Sequence, residues 1–393
     1  MSEQWENNES IKLLREYLQI PSVHPDVDYE PCVIFLKKIA DSIGLRFSVY
    51  RCHPKKPVVI MTWPGANPIL PAILLNSHMD VVPVSEDSWI YPPFEAHIDD
   101  SGKIYARGSQ DMKSIAIQFI EAVREMKEAE VVLQRTVHLS FVPDEEIGGA
   151  LGMKLFVQSD AFRALNVGFC MDEGDPSTED HYDVYYDEKV LWSLEITCNG
   201  QPGHGSSLQP DTAAEKARLV IDKFTDFRNE QREKEFMEAT SVNLTILQGG
   251  VQSNVIPDKI KLGFDVRVAV NQDHDEMEAL IRKWCEEAGE NVNLEFKIKD
   301  PYVQPTVLDE TNKFWVAYKQ ATDELEMTLV HKICPGVSDS RYLRQLNIPA
   351  IGMSPINRTE YLLHDHNEYI EAETFLKGIQ IYKRIIENVA NVL

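Results

Sequence analysis

Several patterns are missing from this sequence of 393 residues, and each absence excludes a class of protein. No apolar run approaches the ~20 residues that a membrane-spanning helix needs. Basic residues number 39 against 63 acidic ones, and the resulting formal charge of −24 argues against binding to nucleic acid or to an anionic membrane. The polar, acidic N-terminus does not resemble a signal peptide. We therefore expect a cytoplasmic protein whose partners include neither nucleic acid nor membrane.

The sequence also lacks the short motifs of several common enzyme classes. It has no GxGxxG after a strand and no P-loop, which argues against dinucleotide and nucleoside triphosphate chemistry. It has no GxSxG nucleophile elbow and no HExxH zinc helix. The six cysteines are scattered without a CxxC pair, so we expect reduced, mostly buried thiols rather than disulfides or a thiolate zinc site.

What the sequence does contain indicates an α/β protein of two domains. A chain of this length exceeds one ordinary core, and its hydrophobic content of 43% is typical of a globular protein. Strand-like and helical segments alternate over residues 1–187 and again over 301–393, which predicts a mostly parallel sheet. Between them, residues 188–300 read β-α-β-β-α-β, the order of a ferredoxin-like α+β domain. We predict a catalytic domain in two parts with this second domain inserted.

The apolar run that begins at Ala72 ends in His78 and Asp80, which are two residues apart. Residues i and i+2 of a strand point the same way, so both side chains leave the strand end on one side. There His78 can bind a metal while the Asp80 carboxylate holds its other ring nitrogen. An ordinary satisfied polar pair is the alternative interpretation.

Four more acidic or histidine residues follow apolar runs in the same manner. Asp111 opens a strongly amphipathic helix, where it could equally be an N-terminal cap. Glu146 follows a strand over 137–142 in an acidic turn that could also be a plain surface turn. Glu173 follows a third short strand, and His364, with His366 as an alternative, follows a fourth.

These residues together form the donor set expected of a dinuclear metal site. Two imidazoles and three carboxylates suit two zinc-like ions rather than calcium or a structural zinc. Such ions lie ~3.5–4 Å apart. Glu145 precedes Glu146 directly, so one acid can bind metal while its neighbour handles protons. The predicted ligands are His78, Asp111, Glu146, Glu173 and His364.

Several motifs spread over the chain resemble one known family, the dizinc aminoacylase/carboxypeptidase G family, which also includes succinyl-diaminopimelate desuccinylase. The resemblance spans essentially the whole chain. Asn357-Arg358-Thr359 and the run from Thr240 to Leu247 indicate its aminoacylase branch. The matching motifs are Ser77-His78-Met79-Asp80, Gly108-Ser109-Gln110-Asp111-Met112-Lys113, Pro143-Asp144-Glu145-Glu146-Ile147-Gly148-Gly149, Asp172-Glu173-Gly174, Gly203-His204-Gly205-Ser206, Ser253-Asn254-Val255-Ile256-Pro257 and His364-Asp365-His366-Asn367-Glu368.

The resemblance implies two zinc ions per subunit, with cobalt or manganese as substitutes. It implies that Glu145 is the general base and that Asp80 supports His78. The ligands it implies are His78 and Glu173 for one ion, Glu146 and His364 for the other, and Asp111 as the bridge.

The resemblance also implies roles outside the metal ligands. His204 and Asn254 would come from the inserted lid and dimerisation domain, and Arg341 would receive the carboxylate of the substrate. The substrate would be a small N-acyl amino acid, and the protein a homodimer in which the lid histidine completes the partner's active site.

The implied activity is hydrolysis of N-acyl-L-amino acids to a carboxylate and a free L-amino acid, by a metal-bound water that Glu145 activates. A dipeptidase or carboxypeptidase of the same family is the first alternative, since it differs only in the acyl side of the substrate. A non-catalytic homologue is the second. The complete ligand set and the retained Glu145 argue against it, because a binding protein needs no base.

Overall fold

The computed structural model describes residues 5–393, which form two compact units. The second unit consists of Asp187–Val303 and Ile333–Val337, and the rest of the described chain forms the first. Within residues 5–393, no helix combines the length and the apolar character needed to cross a bilayer.

The described residues form the following elements. The helices are α1 (Glu9–Leu18), α2 (Glu30–Ile43), α3 (Lys113–Glu128), α4 (Met153–Phe156), α5 (Asp160–Leu165), α6 (Ala213–Gln231), α7 (His274–Glu287), α8 (Lys313–Glu324), α9 (Ser340–Arg344) and α10 (Ala372–Ala390). The strands are β1 (Arg46–His53), β2 (Lys56–Trp63), β3 (Ala72–His78), β4 (His97–Ile98), β5 (Lys103–Tyr105), β6 (Val137–Val142), β7 (Val167–Asp172), β8 (Tyr182–Glu188), β9 (Val190–Asn199), β10 (Gly203–His204), β11 (Ser241–Gly249), β12 (Val255–Ile256), β13 (Lys259–Val268), β14 (Val292–Lys299), β15 (Leu329–Cys334), β16 (Ala350–Gly352) and β17 (Tyr369–Glu371).

The large sheet of the first unit has the strand order β1-β2-β6-β3-β7-β16-β8-β15. Its four central strands, β6, β3, β7 and β16, run parallel, whereas β1, β2 and β8 pair antiparallel with their neighbours. Every residue of β3 and β6 is buried, which is why these strands read as nearly continuous apolar runs. The predicted α/β class with a mostly parallel central sheet is therefore confirmed.

Helices α3 and α10 supply much of the core that covers this sheet. Helix α3 contacts both α10 and β3. The rings of Phe119 on α3 and Tyr382 on α10 lie 4.4 Å apart between centroids, and both side chains are buried. Burial of one such aromatic side chain stabilises a fold by roughly 1.5–3 kcal/mol. This packing holds α3, whose first residue lies two positions after Asp111, against the core.

The second unit has an antiparallel four-stranded sheet in the order β11-β13-β9-β14, with α6 and α7 packed together. This order is that of a ferredoxin-like domain. Thr212 begins α6 with a complete capping box, since its hydroxyl accepts from the Glu215 N–H and the Glu215 carboxylate accepts from the Thr212 N–H. The sequence predicts this helix start because the signal is entirely local.

At two places the local sequence and the structure disagree. The segment around Arg341 reads as a loop, but residues 340–344 form the short helix α9, whose apolar Tyr342 and Leu343 are buried. Residues 254–258 read as a turn, but Val255 and Ile256 form β12, which pairs with Gly203 and His204. In both places tertiary contacts override a polar, turn-like sequence.

Candidate metal centre

The candidate site lies at the carboxyl ends of three parallel strands in the first unit. His78 is the last residue of β3, Glu145 and Glu146 lie in the turn after β6, and Glu173 directly follows β7. This is the edge at which parallel α/β sheets bind their ligands. Asp111, which precedes α3, and His364, in the loop before β17, complete the group.

His78 is nearly fully buried, and one ring nitrogen faces two carboxylates. Its Nε2 lies 2.9 Å from Asp111 Oδ1 and 3.2 Å from Glu173 Oε2. Burial alone lowers the pKa of His78, but Glu173 and Asp111 raise it well above its usual value. Its Nδ1–H donates to the backbone carbonyl of Asp80 at 2.9 Å, which leaves Nε2 as the ligand atom.

The Asp80 carboxylate does not make the predicted hydrogen bond to His78, because its Oδ1 lies 3.9 Å from His78 Nδ1. Instead it accepts from the backbone N–H groups of Glu145 at 3.3 Å and Glu146 at 3.1 Å. It also accepts from His24 Nε2 at 2.8 Å. The buried turn after β6 presents N–H groups that need an acceptor, and the Asp80 side chain meets that need. Asp80 therefore anchors the turn that carries both glutamates.

Asp111 is not the N-terminal cap of α3. The cap position is Met112, which makes no side-chain cap bond, and the helix begins at Lys113. The two carboxylate oxygens of Asp111 face different imidazoles, with Oδ1 2.9 Å from His78 Nε2 and Oδ2 3.2 Å from His364 Nε2. Although burial alone would raise the pKa of Asp111, the two imidazoles hold it below its usual value. A carboxylate placed in this way can bridge two ions.

The turn Glu145–Ile147 directs its two carboxylates to different neighbours. Glu146 Oε2 lies 3.2 Å from His364 Nε2, and the buried Glu146 Oε1 has no hydrogen-bond partner among the described residues. Glu145 lies instead with His78 and Glu173, since ligand atoms of these three lie within 4.8 Å of one another. Burial and the Glu173 carboxylate raise the pKa of Glu145 well above its usual value.

These observations fit a metal centre. Ligand atoms of His78, Asp111 and Glu146 form a second group within 4.8 Å, which shares His78 with the group of Glu145 and Glu173. Buried carboxylates this close together are costly unless a cation meets them. The buried Glu146 Oε1, which has no hydrogen-bond partner among the described residues, is free to bind a cation. Carboxylate oxygens together with imidazole nitrogens are ligands that zinc-like ions prefer. Of the two alternatives at the C-terminal motif, the imidazole that contacts the cluster is that of His364.

Arg341 lies on α9 beside the glycine turn that follows the two glutamates. Its Nη2 donates to the Gly148 carbonyl and to the Tyr342 hydroxyl, both at 2.9 Å, and its Nη1 donates to the Ser338 carbonyl at 2.5 Å. The guanidinium also lies 4.4 Å from the centre of the Tyr342 ring. These contacts fix the plane of the buried guanidinium beside Gly148, two residues after Glu146 along the chain.

His204 and Asn254 belong to the second unit, where the structure brings their two loops together. His204 pairs with Val255 between β10 and β12, and the Gly205 N–H donates to the Asn254 carbonyl at 2.7 Å. The His204 side chain is exposed, with Nδ1 2.8 Å from Ser206 Oγ.

The sequence did not reveal the residues whose hydrogen bonds hold the backbone next to the candidate ligands. The Asp144 carboxylate accepts from the Tyr29 hydroxyl and from Lys56 Nζ, both at 2.7 Å, and so holds the turn before Glu145. Gln110 and Glu368 have no assigned role although both stand in quoted motifs. Nothing in their local sequence indicates a partner more than 250 residues away along the chain.

Comparisons with known proteins agree with this architecture. The model of "Peptidase family M20/M25/M40" matches residues 74–388. Aminoacylase-1A of Rattus norvegicus is 45% identical over 394 residues, which covers 98% of this chain and 96% of the rat protein. The fold resembles that of an M20 family metallo-carboxypeptidase from Sulfolobus solfataricus, with a TM-score of 0.78, 17% identity and coverage of 98% and 99% of the two chains. It also resembles a dinuclear metal binding peptidase from Bacillus subtilis, with a TM-score of 0.70, 19% identity and 98% coverage of each chain.

Proposed function

Because the chain belongs to peptidase family M20/M25/M40, we propose that it hydrolyses N-acyl-L-amino acids to a carboxylate and a free L-amino acid. It is a metal-dependent amidohydrolase that acts on a small linear amide. The single observation that carries this assignment is the cluster of imidazoles and carboxylates on a chain that matches aminoacylase-1 relatives over nearly its full length. The carboxypeptidase and dipeptidase alternatives belong to the same family, but the solved structures that favour them are only 15–17% identical to this chain.

The cofactor we propose is a pair of zinc ions, one held by His78 and Glu173 and the other by Glu146 and His364, with Asp111 between them. Two facts support the pair. The two oxygens of Asp111 face two different imidazoles, and a solved relative of the same fold is described as a dinuclear metal binding peptidase. When bound, such ions polarise the amide carbonyl and lower the pKa of the attacking water.

Glu145 is the residue we assign to proton transfer. It takes the proton from the attacking water and delivers it to the leaving amine, which otherwise departs as an unstable anion. Its backbone is held by the N–H bond to Asp80, and its carboxylate lies with His78 and Glu173. The acid beside it contacts His364, so the two neighbours are suited to different tasks.

The substrate carboxylate needs a local cation, because the chain as a whole carries a formal charge of −24. We assign this role to Arg341, whose planar guanidinium suits bidentate recognition of a carboxylate. We assign to His204 the stabilisation, in the partner's active site, of the oxyanion that forms as the amide is attacked, and to Asn254 a role in substrate binding. Support for this pair comes from the pairing of β10 with β12, which brings their two loops together in the second unit, and from the family motifs.

We propose further that the protein is a cytoplasmic homodimer. Strand β11 forms an edge of the second unit's sheet and exposes Leu244, Ile246 and Leu247. An edge strand with exposed aliphatic residues is prone to pair with another strand, and a second copy of the chain offers one. The six cysteines are thiols that form no disulfide bonds, which suits a reducing compartment.

One experiment tests the assignment of substrate class. The purified chain, loaded with zinc, is assayed on N-acetyl-methionine, on the corresponding amide and on a panel of dipeptides, with Glu145→Gln as the inactive control. We expect N-acetyl-methionine to be the best substrate, a chelator to abolish its hydrolysis and added zinc to restore it. Faster turnover of the dipeptides would refute the assignment in favour of a peptidase, and full activity in the chelated protein would refute the metal centre.

A further inference from the structure

A fully buried carboxylate outside the assigned ligand set organises the turn that carries Asp111. Glu368 Oε1 accepts from the backbone N–H groups of Gln110 at 2.6 Å and Asp111 at 3.2 Å. Its Oε2 accepts from Arg107 Nη1 at 2.7 Å and from the Gly108 N–H at 3.1 Å. One carboxylate thus receives four N–H groups from residues 107–111, and it holds the backbone of Asp111 directly.

Gln110 makes the reciprocal connection, to the segment that carries His364. Its Nε2 donates to the carbonyls of Glu360 at 3.0 Å and Tyr369 at 2.9 Å. Its Oε1 accepts from the Leu362 N–H at 3.0 Å. These contacts lie on both sides of His364 along the chain. A single amide side chain therefore fixes the two ends of the loop from which His364 reaches the cluster.

The two sets of contacts cross between the same two segments. Glu368, from the His364 segment, holds the Asp111 turn, while Gln110, from the Asp111 turn, holds the His364 segment. The Asp111 turn follows β5 and the His364 segment leads into β17, and these two strands pair with each other at Tyr105 and Tyr369. Asp111 Oδ2 and His364 Nε2 lie 3.2 Å apart between the segments so held.

We propose that Gln110 and Glu368 form a reciprocal clamp that sets the spacing of Asp111 and His364 and thereby the metal affinity of the position these two residues share. The clamp rests on the two-ion site proposed above. Gln110 and Glu368 are positioning residues, since their side chains contact backbone groups and Arg107 rather than substrate or metal.

A purely structural role for Glu368 would be to neutralise the buried Arg107. That role needs only Oε2, which is the oxygen that contacts Arg107. Oε1 contacts Gln110 and Asp111 instead. Gln110 carries no charge and has no part in neutralising Arg107, so its side chain separates the two roles.

The test compares metal release from four proteins: wild type, Gln110→Met, Glu368→Gln and the control Gln118→Met. Gln118 is a matched control because it is also fully buried and donates Nε2 to a backbone carbonyl, that of Phe375 at 3.0 Å, away from the metal ligands. Each protein is loaded with zinc and titrated with a competing chelator, and the zinc remaining per chain is counted by native mass spectrometry.

We expect wild type and Gln118→Met to release two ions along the same curve. In both clamp variants one ion should leave at roughly tenfold or more lower chelator concentration, the size of effect typical when a group that orients metal ligands is lost. The metal-free Gln110→Met and Gln118→Met proteins should both melt below the metal-free wild type, because each substitution leaves buried backbone groups without a partner. Zinc should raise the melting temperature of Gln110→Met less than that of wild type or Gln118→Met. A merely structural role would lower the metal-free melting temperature and leave the zinc-induced rise unchanged.

The clamp would be overturned if folded Gln110→Met and Glu368→Gln released zinc at the same chelator concentrations as wild type. It would also be overturned if Gln118→Met lost as much zinc affinity as the clamp variants. If Glu368→Gln fails to fold because Arg107 loses its partner, Gln110→Met alone decides. If the wild type itself releases a single ion, the two-ion site is wrong. In that case the clamp is supported if Gln110→Met lowers the affinity for that one ion, and it is refuted if the affinity is unchanged.

Discussion

Glu145 and Glu146 are adjacent carboxylates to which the structure gives different surroundings, and Glu145→Gln is the change that separates their tasks. The backbone N–H groups of both residues donate to Asp80, and these bonds survive either substitution. Glutamine has nearly the same size as glutamate, so the turn should keep its shape. We therefore expect the free energy of unfolding of the metal-free protein to change by no more than about 1 kcal/mol, as for most substitutions that neither create a cavity nor remove a buried partner.

The effects on catalysis should be large and unequal. A positioned general base contributes roughly 10²–10⁴-fold to a rate, so Glu145→Gln should lower kcat by that factor, about 2.7–5.5 kcal/mol in activation free energy. Its zinc content should stay near that of the wild type. Glu146→Gln replaces the carboxylate that lies 3.2 Å from His364 Nε2, and an amide oxygen is a much poorer zinc ligand than a carboxylate. This variant should lose metal as well as activity.

The assay measures zinc per chain and kcat on N-acetyl-methionine for both variants, before and after dialysis against a weak chelator. Glu145→Gln should keep its zinc and remain slow even in excess zinc, whereas Glu146→Gln should recover in part as zinc is added. Equal loss of zinc in both variants would show that the adjacent acids are both ligands. Normal kcat in zinc-loaded Glu145→Gln would show that another group transfers the proton.

Three further predictions concern recognition, stability and assembly. Arg341→Ala should raise KM for an N-acyl amino acid roughly 10–100-fold, the value of a charge-assisted bidentate contact, but little for its amide, and an equal rise for both would refute carboxylate recognition. Burial lowers the pKa of His138 to about 4, so the unfolded chain binds a proton below about pH 6.5 that the folded chain does not. Between pH 6.5 and pH 4 the free energy of unfolding, measured in urea, should therefore fall by about 3 kcal/mol more for wild type than for His138→Gln. An equal fall in both proteins would refute the lowered pKa of His138. Subunit exchange between His204→Ala and Glu145→Gln should restore about a quarter of the wild-type sites if His204 acts in its partner's site, and no recovery after verified exchange would refute that arrangement.

Helix and strand positions were largely predictable because their signals are local. The capping box at Thr212 and the apolar stripe of the C-terminal helix α10 need no knowledge of the rest of the chain. The continuous apolar runs of β3 and β6 likewise indicate strands buried on both faces. The predicted alternation of these elements yields the parallel centre of the large sheet that the structure contains.

The partners of individual polar groups were not predictable in the same way. Asp111 looks like a helix cap, but the helix starts at Lys113 and its carboxylate faces His78 and His364. Asp80 looks like the partner of the His78 ring, yet the turn after β6 takes its carboxylate. In each case the local spacing predicts a partner nearby in sequence, but the carboxylate contacts residues that are distant in sequence instead.

The sequence by itself determined that three ligands, His78, Glu146 and Glu173, could meet, because parallel strands bring their carboxyl ends, and the side chains that follow them, to one edge of the sheet. Only the tertiary structure decided how those side chains are held. The contacts between the Asp111 turn and the His364 segment join residues that are 250 to 261 positions apart. Periodicity and capping leave a mark in consecutive residues, whereas a hydrogen bond across such a distance depends on where two segments meet after the core has packed.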